Sequence, residues 1–283
     1  MKVARFRDET YWGRPVPGYG PPDARILLVG LAPAAHGGNR TGRVFTGDAS
    51  GDFLWRAMHE VGLADRPVSR RADDGLTLNG VRIAAAVRCA PPANKPTKDE
   101  EAACRPYLVR EIELLRELRV IVALGAIGWD AALKALAALG HATPAPKPRF
   151  VHGAETAIGP YTLVGTYHPS QQNTFTGRLT APMFEAVLAR ATSIAVERAS
   201  GSRHGRLTGD RLSRQPIAEH DRQREEERDQ PGHRQEGEQG PGQPDEEPGL
   251  GAWDGEHDPD HRETEPEDRQ AHPGPLPEAG RRE

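Results

Sequence analysis

Three short apolar runs constrain this chain most: Ile26-Leu27-Leu28-Val29, Val81-Arg82-Ile83-Ala84-Ala85-Ala86-Val87 and Val120-Ile121-Val122-Ala123-Leu124. They are rich in β-branched residues and almost unbroken by polar ones. Near-continuous rather than alternating apolarity marks strands covered on both faces, as in a parallel sheet. A fourth strand is expected at Tyr161–Thr166. The order strand, loop, helix then repeats four times, which predicts an α/β fold with helices on both sheet faces.

Strands are expected at Ala24–Val29, Val81–Val87 and Arg119–Gly125, with short ones at Arg149–His152 and Tyr161–Thr166. A helix from about Gly51 to Gly62 carries Phe53, Leu54, Ala57, Met58 and Val61 as its apolar stripe. Thr97-Lys98-Asp99-Glu100 reads as a capping box opening a helix that reaches about Leu115. An Ala-rich helix is expected over Ile127–Leu139, and Thr180 caps a last one from Ala181 to about Glu197. Residues 1–23 are too rich in Pro and Gly for either regular structure, and their aromatics Tyr11, Trp12 and Tyr19 are expected to cover one edge of the core.

Charge divides the chain near residue 200. Residues 1–200 carry a formal charge of +6 and residues 201–283 one of −10. The second stretch is rich in Gly, Pro, Gln, Glu, Asp and Arg, with Trp253 as its one aromatic, so it is expected to be a disordered acidic tail. The first is basic enough to suit a polyanion through phosphate contacts. No run of 18 apolar residues and no signal-peptide core is present, so a soluble, intracellular protein with no membrane role is expected. The two cysteines, Cys89 and Cys104, cannot build a disulfide framework.

Three loops rich in Gly or Pro follow strands, at residues 30–50, 88–96 and 167–178. All would open at the carboxyl edge of one sheet, where α/β folds place ligands. The first holds five glycines between Val29 and Ser50. It lacks the G-x-G-x-x-G spacing, places Pro33 where a phosphate-facing amide would sit, and has no Gly-Lys-Ser/Thr, so a nucleotide cradle is disfavoured.

Gly30-Leu31-Ala32-Pro33-Ala34-Ala35-His36-Gly37 with Asn39-Arg40-Thr41-Gly42-Arg43 and Phe45-Thr46-Gly47-Asp48 resembles the first motif of the type 5 (B-type) uracil-DNA glycosylases. Arg88-Cys89-Ala90-Pro91-Pro92-Ala93-Asn94-Lys95-Pro96 resembles their middle motif. Tyr167-His168-Pro169-Ser170-Gln171-Gln172-Asn173-Thr174 with Thr176-Gly177-Arg178-Leu179-Thr180 resembles the last. The likeness covers about residues 5–195. It implies a three-layer α/β/α sandwich around a four-stranded, mainly parallel sheet within a domain at 1–200. It also implies a monomeric DNA-repair enzyme that flips uracil, and often hypoxanthine or xanthine, out of DNA and hydrolyses its N-glycosidic bond.

Within that resemblance, Phe45 stacks on the flipped base, Asn94 reads its edge through an amide that both donates and accepts, and Gly30 and Ala32 complete the base pocket. His168 donates to the departing base anion. Asp48 orients water, although its place before a helix equally suits an N-cap, and Asn39 and His36 are further candidates for polarising water or binding the sugar phosphate. Arg40, Arg43, Gln172, Asn173 and Arg178 are assigned to DNA, with the segment from Thr174 to Arg178 over the minor groove as a wedge or strand holder. Related types carry an acid just after the first glycine of the motif; this chain has Leu31 and Ala32.

The family usually holds a [4Fe-4S] cluster on four cysteines, and Cys89 and Cys104 correspond to the later pair. The first pair would precede Met1: either a start assigned too far downstream has removed it, which is the expectation, or the protein does without the cluster, with Cys89 and Cys104 as ordinary buried thiols. The missing carboxylate motivates the alternative of a DNA-binding module that recognises flipped or damaged bases without catalysis. An α/β hydrolase of free nucleotides is a third reading.

Overall fold

The computed structural model describes residues 2–208, with side chains to residue 198. Five strands form one sheet: β1 (Ile26–Gly30), β2 (Val81–Ala85), β3 (Val120–Leu124), β4 (Glu155–Ile158) and β5 (Tyr161–Thr166). Their order is β2-β1-β3-β5-β4. The four strands β2, β1, β3 and β5 are parallel, with Ile26 opposite Val81 on one side and Val120 on the other, and Val120 opposite Thr162. The parallel set has the four members expected, and β4 adds an antiparallel edge.

That edge strand corrects the expectation at Arg149–His152, which is not a strand. The carbonyl of Val151 lies over the face of β5, where a Cβ on Gly165 would come within 2.6 Å of it. A segment lying on the face cannot pair along the edge. Pairing begins only at Gly153, whose amide donates to Gly165 at 2.8 Å. A two-residue turn then joins β4 to β5, with Gly159 at φ +56° taking a position that favours glycine.

Helices cover both faces. On one face α2 (Ala49–Glu60) and α6 (Ala181–Thr208) bury Leu54, Trp55, Met58, Phe184 and Leu188 against Ile26, Leu28, Ile83, Val122 and Val164. On the other, α3 (Lys98–Leu114) and α4 (Gly125–Ala138) bury Leu108, Ile112, Trp129 and Leu136 against Leu27, Val29, Ile121 and Leu163. Alternate strand residues feed opposite cores, as period-2 geometry requires. All five residues of β1 and of β3 are buried, hence their unbroken apolarity. Two short helices, α1 (Gly38–Thr41) and α5 (Gln171–Phe175), lie within the loops at the carboxyl edge.

Helix ends follow local chemistry. Thr97 and Glu100 form the reciprocal capping box of α3, and Asp48 caps α2 by accepting from the Gly51 amide at 2.9 Å. The last helix does not stop near Glu197. It continues to Thr208, eight residues into the stretch expected to be a tail; the rest of that stretch, 209–283, lies outside the described residues.

Candidate active site

The chain leaves β1 for β2 on one side and returns to β3 on the other. At such a reversal of strand order the loops diverge and leave a crevice at the carboxyl edge. A cleft of about 550 Å³ lies there, lined by Ala32, Phe45, Asp48, Asn94, His168 and Gln171 among others. The loops after β1, β2 and β5 all contribute. The chain past β2 stays beside the first loop because Ala86 and Val87 donate to Gly30 and Leu31, each at 2.9 Å.

Phe45 is built into an uncommon backbone conformation, φ +52°. Its carbonyl accepts from the Trp55 indole at 2.6 Å, and the same carbonyl lies so near Gly51 that a side chain there would collide with it. These contacts fix the peptide and aim the half-buried ring across Gly30, where a Cβ would stand 2.8 Å from the ring edge. Gly30 is therefore the floor under Phe45. The other face of the arrangement meets His168, with ring centroids 5.7 Å apart. Ala93 and Asn94 also have positive φ, +50° and +54°, so all three such non-glycine residues among the described ones lie in or beside the cleft. Strain of this kind persists where surrounding contacts over-determine it, and it concentrates at functional sites.

His168 follows β5, and its carbonyl accepts from the Asn173 side chain at 2.9 Å, which closes the turn into α5. Burial disfavours its charged form and lowers its pKa to about 4, so the imidazole is neutral at pH 7 and keeps one N–H to donate. Burial acts oppositely on Asp48, raising its carboxyl above the ordinary value against the opposing Gly51 amide bond. Asp48 thus caps α2 and lines the cleft at once.

The remaining sequence-assigned residues separate into groups. Ala32 and Gln172 line the cleft with the residues above, and Arg178 lies exposed over the Tyr167 ring at 4.7 Å. Asn39 does not line the cleft: its amide donates to the Ala35 carbonyl at 3.3 Å. His36 is likewise turned away, toward the Tyr11 hydroxyl at 2.9 Å.

Arg43 is a correction. Its side chain is 1% exposed and bonded to Asp74 at 2.7 Å, Ser69 at 2.7 Å and the Ala72 carbonyl at 2.9 Å. A guanidinium consumed this way holds the 65–80 connection to the first motif and is out of reach of a phosphate. Arg40 is also engaged, to Glu9 and to the His36 carbonyl, both at 2.7 Å.

Sequence reasoning missed Glu111. It lies buried on α3 and binds Arg82 at 2.5 Å and Arg88, which anchors the base of the 88–96 loop. An acid between Leu108 and Ile112 on the apolar face was the available signal. Ser170 was missed too; it caps α5 by accepting from Asn173 and borders the cleft.

Residues 17–192, more than half of the chain, match the family model described as the uracil DNA glycosylase superfamily. The chain belongs to that superfamily. A type-5 uracil-DNA glycosylase of Thermus thermophilus is 54% identical over 191 residues, 67% of this chain and 84% of that protein. One of Mycobacterium bovis is 52% identical over 197 residues, 69% of this chain and 72% of that protein. A type-4 uracil-DNA glycosylase of Pyrobaculum aerophilum is 33% identical over 156 residues. Every residue named as lining the cleft falls inside the superfamily match.

As a superfamily member the chain invites comparison with cluster-bearing glycosylases. Four thiolates hold a [4Fe-4S] cluster; this chain has two cysteines, Cys89 exposed and Cys104 half-buried, both unpaired. No group of three or more His, Cys, Asp or Glu side chains among the described residues is arranged to hold a metal ion. The residues present do not complete such a site. Among the described residues no helix is long and apolar enough to cross a membrane.

Proposed function

We propose that this chain is a DNA-repair glycosylase that hydrolyses the N-glycosidic bond of uracil in DNA, with hypoxanthine and xanthine as further substrates. The observation that carries the reading is the gathering, in one cleft at the switch point of the sheet, of Phe45, Asn94, His168 and Asp48. Cleavage builds positive charge on the sugar and negative charge on the leaving base. The flipped base stacks on Phe45 and presents its edge to Asn94. Neutral His168 donates its N–H to the forming anion, an interaction strengthened where water is excluded. A carboxylate with a raised pKa suits Asp48 to hold and activate water, while Gln172, Asn173 and Arg178 hold the strand.

Action as a monomer is part of this proposal. The names of the relatives favour catalysis over the alternative of a non-catalytic binding module. Incubation with a uracil-containing oligonucleotide followed by alkali tests the reading. Strand cleavage at uracil is expected; tight binding with no abasic product after prolonged incubation would overturn it in favour of the binding module.

A further inference from the structure

A second concavity, about 620 Å³, lies behind the first-motif loop and is used by none of the chemistry above. Its walls are the amino-terminal segment around Trp12, helix α1, and the connection around Arg70. They are pinned together by backbone: Trp12 and Gly13 donate to the Arg40 and Asn39 carbonyls, and Ala72 donates to Thr41, all at 3.1 Å. The groove is therefore a built feature rather than a gap between loose ends.

Four arginines line it: Arg14, Arg40, Arg70 and Arg71. Arg40 is matched by Glu9 and Arg71 by Asp73. Arg14 and Arg70 are exposed, and neither guanidinium forms a salt bridge among the described residues. Arg14 is held in place without one, its guanidinium stacked 3.8 Å from the centre of the Trp12 ring. Trp12 is itself fixed by its indole bond to the Pro15 carbonyl at 3.2 Å and by packing on Gly42. A stacked guanidinium keeps its edge donors free and pre-aimed, the arrangement suited to a phosphate.

The groove and the cleft are both lined by residues of the first-motif loop, Arg40 and Thr41 on one and Phe45 and Asp48 on the other. Arg40 lines the groove and donates to the carbonyl of Gly47, the residue before Asp48, at 3.4 Å. We propose that this groove binds the phosphodiester backbone of the DNA strand flanking the flipped nucleotide, with Arg14 and Arg70 as its phosphate contacts. The inference rests on the glycosylase reading for the identity of the strand, but its charge prediction stands on binding alone.

The test compares wild type with the double variants Arg14→Gln/Arg70→Gln and Arg14→Lys/Arg70→Lys. Binding to a 20-nucleotide duplex without uracil is measured by anisotropy across a salt series. Each lost phosphate contact reduces the slope of log affinity against log salt by about 0.9 on duplex, so the Gln pair should lower it by roughly 1.8 and the Lys pair should retain it. On uracil-containing substrates the Gln pair should raise KM roughly tenfold on the long duplex with kcat unchanged. On a trinucleotide centred on uracil it should match wild type. An unchanged salt slope with an unchanged melting temperature overturns the proposal, as does an equal loss on trinucleotide and duplex. Failure of wild type to excise uracil refutes the glycosylase reading instead and leaves the slope measurement decisive for the groove.

Discussion

The two roles of Asp48 can be separated by two substitutions at one position. Its Oδ1 accepts from the Gly51 amide at 2.9 Å, an N-cap bond. Losing such a cap costs about 1 kcal/mol, whereas asparagine caps as well as aspartate does. In a domain of this size 1 kcal/mol corresponds to roughly 2–4 °C in melting temperature. Asp48→Ala should therefore melt a few degrees lower than wild type, and Asp48→Asn should not. The sign at neutral pH even favours asparagine: burial raises the carboxyl pKa above its unfolded value, so the stability associated with the group is present below the unfolded pKa and lost as pH rises through the folded one. Asp48→Asn removes that loss, and its advantage over wild type should vanish below the ordinary carboxylate pKa of 3.8.

Catalysis should divide differently. If the charge activates water, both variants lose it alike, by about 10²- to 10⁴-fold in single-turnover excision. Single-turnover assays on a uracil oligonucleotide, run beside thermal melts, read both quantities. Wild-type excision by Asp48→Asn would refute the water-activating role and leave Asp48 as a cap alone. Loss of activity in Asp48→Ala only, in step with its melting temperature, would refute it equally.

The same cleft yields three further expectations. Because His168 is buried as a neutral ring with a pKa of about 4, its protonation should not limit excision between pH 5.5 and 8; wild type should lose about 3 kcal/mol of stability relative to His168→Gln as pH falls from 7 through 4, measured by denaturant midpoints. Phe45→Ala should lower kcat/KM by roughly 10- to 100-fold through lost base stacking, and Gly30→Ala should approach that loss without unfolding, since its Cβ would displace the ring edge now 2.8 Å away. Arg43→Ala should destabilise by roughly 1–3 kcal/mol by removing the guanidinium that bridges Ser69, the Ala72 carbonyl and a carboxylate. That carboxylate is Asp74, which opposes its own burial through the Arg70 and Leu76 amides and Arg43 and is held at about 2; the salt dependence of DNA binding should stay that of wild type.

The fold was legible wherever burial on two faces left its mark on composition. Strands β1 and β3 bury all five residues each, so no polar residue interrupts them and their place at the sheet centre follows from sequence. Strand β4 left no such mark: at an edge, three of its four residues, Glu155, Thr156 and Ala157, are exposed or half-buried. The apolar pair Phe150 and Val151 looked the better strand. Phe150 instead packs on Trp129, and the Trp129 indole donates to Pro148. Local pattern cannot distinguish a residue that covers a sheet face from one that extends its edge.

The site divides along a similar line. Motif reading grouped Gly30, Phe45 and Asp48 as the structure does, because they are coupled within one loop by contacts short in sequence. It did not place the arginines, because a guanidinium's availability is decided by partners far along the chain. Arg43 meets Asp74, 31 residues on, and becomes core; Arg40 meets Glu9, 31 residues back, and becomes a strut. Arg14 and Arg70, outside every motif, are exposed, and neither guanidinium forms a salt bridge among the described residues. Assigning DNA contacts from sequence counts positive charges, whereas binding strength depends on the charges left uncompensated after folding. By that measure the phosphate contacts proposed for this chain are Arg178, exposed over the Tyr167 ring, and the groove beside Trp12, and salt-slope measurements on single arginine variants should show large effects at Arg14, Arg70 and Arg178 and none at Arg43.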